Sequence, residues 1–257
     1  MSAVHMVQTM SELHGCVAVV TGAGRGLGAA LALAFADAGC RMIICGRNED
    51  ALRHNAAAIT ERSKRPCDVI QLDLAAADSV AAALATIRAS HEKIDVLVNN
   101  GAMWLEGRST PYSAQEIMGT INSAVSGTFL FVQGLLPQLN KSHRPDIVTI
   151  GSTSSLPTAA LRHVSVPFYA AKRAQGALAD GFRQQLLGTP VRSIIINPPD
   201  LDDISTLDPE WDKSPSRQKG ERATNRDIAD AVIFAVTRPR HINLSITVDA
   251  DQGGVFS

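Results

Sequence analysis

Between residues 16 and 39 the chain reads CVAVVTGAGRGLGAALALAFADAG. A short unbroken apolar run leads into a turn holding Gly22, Gly24, Gly26 and Gly28, then into a helical stretch that stops at Gly39. An apolar run that does not alternate with polar residues belongs to a strand covered on both faces. Helices must supply that cover, and the right-handed βαβ crossover is the compact way to place them. The rest of the chain keeps this rhythm. Apolar runs at 41–46, 68–74, 94–100, 146–152, 191–197 and 243–249 alternate with helical stretches at 48–64, 76–91, 113–140, 167–187 and 225–237. The expected fold class is α/β, a doubly wound parallel sheet with helices on both faces. No linker rich in Gly, Ser or Pro divides it. One domain over 13–257 is therefore expected, after a loose tail over 1–12. The polar, proline-containing segment 198–223 breaks the rhythm. A long connection beyond a strand's C-terminal end is expected to act as a lid.

Composition narrows the function classes. The net charge is −1 with no long run of one sign, which argues against a nucleic-acid surface. No apolar stretch approaches the ~20 residues of a membrane span. The opening MSAVHMVQTMSELHG lacks the apolar core of a secretory signal. Cys16, Cys40, Cys45 and Cys67 show no CxxC spacing and no zinc-ligand cluster. Buried, inert thiols in a reducing cytoplasm are expected, and no metal site.

Glycines between a strand and a helix let the backbone turn tightly and approach a pyrophosphate, while the helix N-terminus offers free N–H groups. The spacing TGxxxGxG is wider than GxGxxG, because Leu27 stands where the third glycine would be. In this turn, TGAGRGLG, and along most of its length, the chain resembles the short-chain dehydrogenase/reductase family, with its Rossmann-type sheet. The resemblance implies cofactor contacts from Gly22, Gly26, Leu27 and Gly28. It implies an adenine contact from Asp73 and Leu74 in QLDL, and ribose contacts from Asn99 and Gly101 in LVNNGA. That last motif exchanges the final two residues of the family's NNAG. The second strand ends IICGRNED. Gly46 takes the place of the acid that would bind a free 2′-hydroxyl, and Arg47 follows it. A guanidinium fork suits a 2′-phosphate, and Arg25 is a second cation in the turn. NADP(H) is favoured over NAD(H), with Glu49 and Asp50 keeping NAD(H) open.

The chemical end departs from the family. The resemblance implies Ser152, at the end of IVTIGS, as the hydroxyl that steadies the substrate oxygen, and Lys172 as the cation at the nicotinamide ribose. The phenol that donates the proton should stand four residues before the lysine, and Phe168 stands there. Tyr169, one of two tyrosines in the chain, lies three residues before Lys172. Positions i and i+3 share a helix face, so Tyr169 is a candidate proton donor if the first turn is distorted, as Pro167 allows. The alternative is that Tyr169 only packs or touches a neighbouring subunit. Tyr112 is a remote candidate. Ala124 stands at the family's asparagine, with Asn122 two residues early. Pro198 and Pro199 replace the usual Pro-Gly, and Pro198 should border the nicotinamide.

Two functions follow from these residues. The first is an NADP(H)-dependent oxidoreductase interconverting a carbonyl and an alcohol. The second is a dinucleotide-binding protein with little or no catalysis, a sensor or partner subunit. The resemblance also implies a homo-oligomer, dimer or tetramer, built on the helices at 113–140 and 167–187. The partners expected are a small carbonyl or alcohol substrate, with no nucleic acid and no membrane.

Overall fold

The structure, a computed structural model, describes residues 12–157 and 164–255. The tail expected over 1–12 lies outside the described residues except for Glu12. Seven strands form one sheet: β1 Val17–Thr21, β2 Arg41–Gly46, β3 Cys67–Gln71, β4 Val96–Asn99, β5 Asp146–Ile150, β6 Arg192–Asn197 and β7 Ser245–Thr247. Their order across the sheet is β3-β2-β1-β4-β5-β6-β7 and every pairing is parallel. The order reverses direction beside β1 and β4. Two crossovers diverge there and open a crevice at the strands' C-terminal ends.

The helices are α1 Gly26–Asp37, α2 Glu49–Ser63, α3 Ala77–Ser90, α4 Ala114–Ala124, α5 Ser126–Leu139, α6 Val166–Gln185, the short α7 Glu210–Lys213 and α8 Asn225–Val236. Successive strand residues feed opposite layers, as the two-residue period of a strand requires. Ala18 and Val20 pack with Leu31 and Phe35 of α1, Leu52 of α2 and Val232 of α8. Val17 and Val19 pack with Leu84 and Ile87 of α3, Phe131 and Leu135 of α5 and Phe182 of α6. Both faces of the central strands are thereby covered, and β1, β2 and β4 to β6 are buried almost throughout, whereas the edge strands β3 and β7 are partly exposed.

Two features refine the expectation. The helical stretch at 113–140 is two helices, broken at Val125 (φ −113°, ψ −75°). Just past the break, a Cβ on Gly127 would lie 1.8 Å from the Leu74 carbonyl oxygen. The start of α5 is thus pressed against the loop after β3, and the Thr128 hydroxyl donates to the Ser123 carbonyl across the break. Second, Asp146 at the start of β5 is fully buried and pairs with Arg192 of β6 at 2.8 Å and with Arg240. Arg192 also donates to the carbonyls of Val236 and Arg238, so its buried donors are met.

All four cysteines are free; Cys16, Cys40 and Cys45 are buried. Burial raises every one of these thiols, that of Cys67 to about 12, which keeps it un-ionised and unreactive near neutrality. Among the described residues no helix is long and apolar enough to cross a membrane, and no group of His, Cys, Asp or Glu is arranged to hold a metal ion.

Candidate functional site

A continuous open cleft of about 1030 Å³ runs along the C-terminal edge of the sheet. The glycine turn, the ends of β2 to β6 and the segment after β6 line it. At its centre, Gly22 (φ +68°) and Gly26 (φ +56°) adopt left-handed backbone that disfavours any side chain. Gly28 serves packing: a Cβ there would lie 2.1 Å from the Gly22 carbonyl oxygen. The Thr21 hydroxyl accepts the N–H groups of Asn100 and Gly101 at 3.1 and 2.9 Å and donates to the Val98 carbonyl. The loop after β4 is pinned to the turn in this way.

Helix α1 begins in this cleft with no side-chain cap and no acid in its first turn. By contrast Asn48, Ser113 and Ser165 cap α2, α4 and α6. Unsatisfied N–H groups and the positive dipole end therefore face the cleft, which suits a phosphate. Further along, Arg25 and Arg47 both line the cleft and both are exposed. Neither has a carboxylate partner among the described residues. The Arg47 guanidinium meets the Met103 sulfur, at 3.9 Å. Asp73 and Leu74 line the same end, where the Asp73 carboxylate accepts the Ala75 N–H at 2.9 Å. A glycine cradle, an uncapped helix and two unpaired cations fit a dinucleotide carrying phosphates.

At the other end Ser152, Lys172 and Pro198 line the cleft. Ser152 follows β5 with extended backbone, and its hydroxyl accepts the Ser154 N–H at 3.1 Å. Lys172 is buried; its ammonium donates to the Ile150 carbonyl at 3.1 Å and to the Gln175 side-chain oxygen at 2.9 Å. No carboxylate among the described residues pairs with it, and desolvation lowers its pKa to about 8. An ammonium carries three donors, so one N–H remains beyond these two bonds.

Helix α6 presents Phe168 to the cleft, not Tyr169. The first turn starts regularly. Ser165 caps it by accepting the Phe168 N–H, and the Tyr169 N–H donates to the Ser165 carbonyl. The distortion that would bring Tyr169 round is absent, and its ring lies against the Arg173 guanidinium, 5.9 Å from the centroid. Phe168 sits edge-on to Trp104 at 4.6 Å and 5.8 Å from the Lys172 ammonium. The Tyr112 hydroxyl is engaged elsewhere, donating to the Glu106 carbonyl. Neither tyrosine lines the cleft.

The remaining expected contacts divide. Gly101 lines the cleft, whereas Asn99 is buried behind it and Asn100 takes the lining position. The reason is the strand's alternation: β4 ends at Asn99, whose side chain faces inward, and the next residue turns out. Asn122 does not line the cleft. Ser123, the next residue on α4, lines it instead, and the Ser123 hydroxyl accepts the Met103 N–H at 3.2 Å. Sequence reasoning missed Ser123, Trp104, Asp203, Asn225 and the C-terminal Gly253–Val255, all of which line the cleft. Only Asp203 lay in a segment already expected to cover the site.

The crevice at the sheet's reversal point, with its phosphate cradle, defines a Rossmann-type dinucleotide-binding protein. Comparison with known proteins agrees. A family model described as short chain dehydrogenase matches residues 16–212, and the chain belongs to that family of oxidoreductases. It is 28% identical over 240 residues to an uncharacterized oxidoreductase of Staphylococcus aureus (strain N315), covering 93% of this chain and 99% of that one. A solved short chain dehydrogenase from Burkholderia cenocepacia in complex with NADP is 26% identical with a TM-score of 0.79, over 95% of this chain and 99% of that one. The L-sorbose reductase of Gluconobacter frateurii, solved with NADPH and L-sorbose, shares the fold with a TM-score of 0.80 at 19% identity, over 95% and 97% of the two chains.

Proposed function

We propose that this chain is an NADP(H)-dependent oxidoreductase that interconverts a carbonyl and an alcohol without a tyrosine. The observation that carries this reading is the joint placement of Ser152 and Lys172 in the same cleft as the glycine cradle. When bound, the nicotinamide supplies or accepts a hydride. The chain's own residues do the rest. Ser152 donates its hydroxyl hydrogen bond to the substrate oxygen. Lys172 gives the proton that the oxygen needs as the alcohol forms, directly or through one water. Its lowered pKa places it near the range where a general acid works best at neutral pH. Phe168 packs edge-on against Trp104 beside them. Ser152, Lys172 and Pro198 contact the nicotinamide end, and the cradle holds the pyrophosphate.

The cofactor preference rests on Gly46, Arg47 and Arg25. Arg47→Ala is expected to weaken NADPH binding by about 1.5–3 kcal/mol, a charge-assisted hydrogen bond's worth, and to leave NADH nearly unchanged. Fluorescence titration of both cofactors measures it. The four free thiols fit a reducing compartment.

Phe168 in the phenol's place favours a second reading, a dinucleotide-binding protein with little or no catalysis. A screen of carbonyl compounds by NADPH consumption separates the two. If a substrate is turned over, Lys172→Ala is expected to abolish the reaction and Tyr169→Phe to leave it at the parent rate. A large loss in Tyr169→Phe would put the phenol back in the site. If no carbonyl is reduced until Phe168→Tyr is introduced, the binding module is the correct reading.

A further inference from the structure

We propose that Asp203 sets the protein's affinity for its cofactor, because its carboxylate occupies the place at the start of α1 that the pyrophosphate needs. The inference rests on the dinucleotide reading of the cleft. A Cβ built on Gly26, the first residue of α1, would lie 2.9 and 3.2 Å from the two Asp203 oxygens. This carboxylate therefore stands over the uncapped helix end, where an anion is favoured. It comes from the segment after β6, far away in sequence. The buried Asn225, at the start of α8, fixes it by donating to Oδ1 at 2.7 Å.

The neighbouring acids are all neutralised. Asp202 pairs with Arg217 at 2.6 Å and Asp200 with Arg222 at 3.1 Å. The Asp202 N–H also donates to the Ala223 carbonyl, and the Asp200 N–H to the Gly253 carbonyl. The stretch 200–203 is thus held on both sides, and only Asp203 has no cation among the described residues. No ion pair joins it to Arg25, which directly precedes Gly26 in the cradle. Two anions cannot share one helix end, so a dinucleotide binds only the fraction of molecules in which Asp203 has swung away. Its apparent affinity falls by that fraction.

The test is a titration of the full-length protein with NADPH and, separately, with adenosine 2′-monophosphate, which carries no pyrophosphate. Parent, Asp203→Ala and Asp203→Asn are compared, the second variant keeping the side chain's shape in case the first misfolds. Both variants are expected to bind NADPH at least about tenfold more tightly than the parent, with affinity for the monophosphate unchanged. NADPH affinity equal to or below the parent's in both variants overturns the proposal and leaves the cofactor site standing. Equal tightening of both ligands also overturns it, since the effect would then be general charge and not occupancy of the cradle. If no protein in the set binds either ligand, the dinucleotide reading itself falls.

Discussion

Lys172 shows how one residue's surroundings set its chemistry. In a site with a phenol, a buried lysine has a neighbour to polarise. Here Phe168 takes that place, and among the described residues the ammonium bonds the Ile150 carbonyl and the Gln175 amide oxygen. Burial without a counter-charge costs stability and lowers the pKa from the ordinary lysine value of 10.5 to about 8. The sign follows from proton counting. Below pH 8 folded and unfolded chains both hold the proton, and the penalty is complete. As pH rises from 8 to 10.5 the folded chain has released the proton while the unfolded chain keeps it, so the parent gains stability. Lys172→Met is therefore expected to be more stable than the parent at pH 7, by about 3 kcal/mol. The gain shrinks as pH climbs through that window, and chemical denaturation at pH 7 and pH 10 measures it. The same ionisation makes reduction slow above about pH 8 if Lys172 supplies the proton.

At the scale of elements, the sheet's far side is organised by charge. Asp146 at the start of β5 and Arg192 at the start of β6 are both buried, and their fork-to-fork pair of 2.8 and 2.9 Å aligns the two strands in register. Arg240 adds a third arm from the loop after α8. Asp146→Ala leaves Arg192 buried and unpaired, and is expected to cost about 3–5 kcal/mol. A urea melt with an unchanged slope and an earlier midpoint is the expected result. These elements were legible as strands from their apolar runs. The pair was not, because arginine and aspartate more than forty residues apart carry no mark that they meet. The break at Val125 was equally hidden. Residues 113–140 satisfy helical periodicity throughout, and nothing within that stretch shows that Gly127 will lie against the Leu74 carbonyl, at a distance a Cβ could not tolerate.

For the whole molecule, the two faces of the sheet differ in what they leave uncovered. Ile117 and Met118 of α4, Phe129 and Leu130 of α5 and Val166 of α6 remain exposed on one side. Large apolar side chains grouped on neighbouring helices favour association. We propose a homo-oligomer built on that side, and expect light scattering at micromolar concentration to give a multiple of the 27.3 kDa chain mass. Met118→Glu together with Leu130→Glu should shift the protein to monomer without loss of NADPH binding, since neither residue lines the cleft.

The sheet and the glycine turn could be read from sequence because their requirements are local. A strand buried on both faces is mostly apolar, and a strand-to-helix turn that takes left-handed backbone favours glycine. Gly22, Gly26, Gly28, Arg25 and Arg47 therefore announce themselves within short windows. The chemical end obeys no such local rule. Whether Phe168 or Tyr169 faces the cleft depends on where α6 starts its first turn, and that was decided by Ser165 capping the helix. Whether Asn122 or Ser123 reaches it depends on which face α4 turns to the cleft, and which asparagine follows β4 into the cleft depends on where that strand ends. Asp203 is the extreme case. Its place over α1 exists only once the segment after β6 has folded back across the sheet, bringing together residues that the chain keeps far apart.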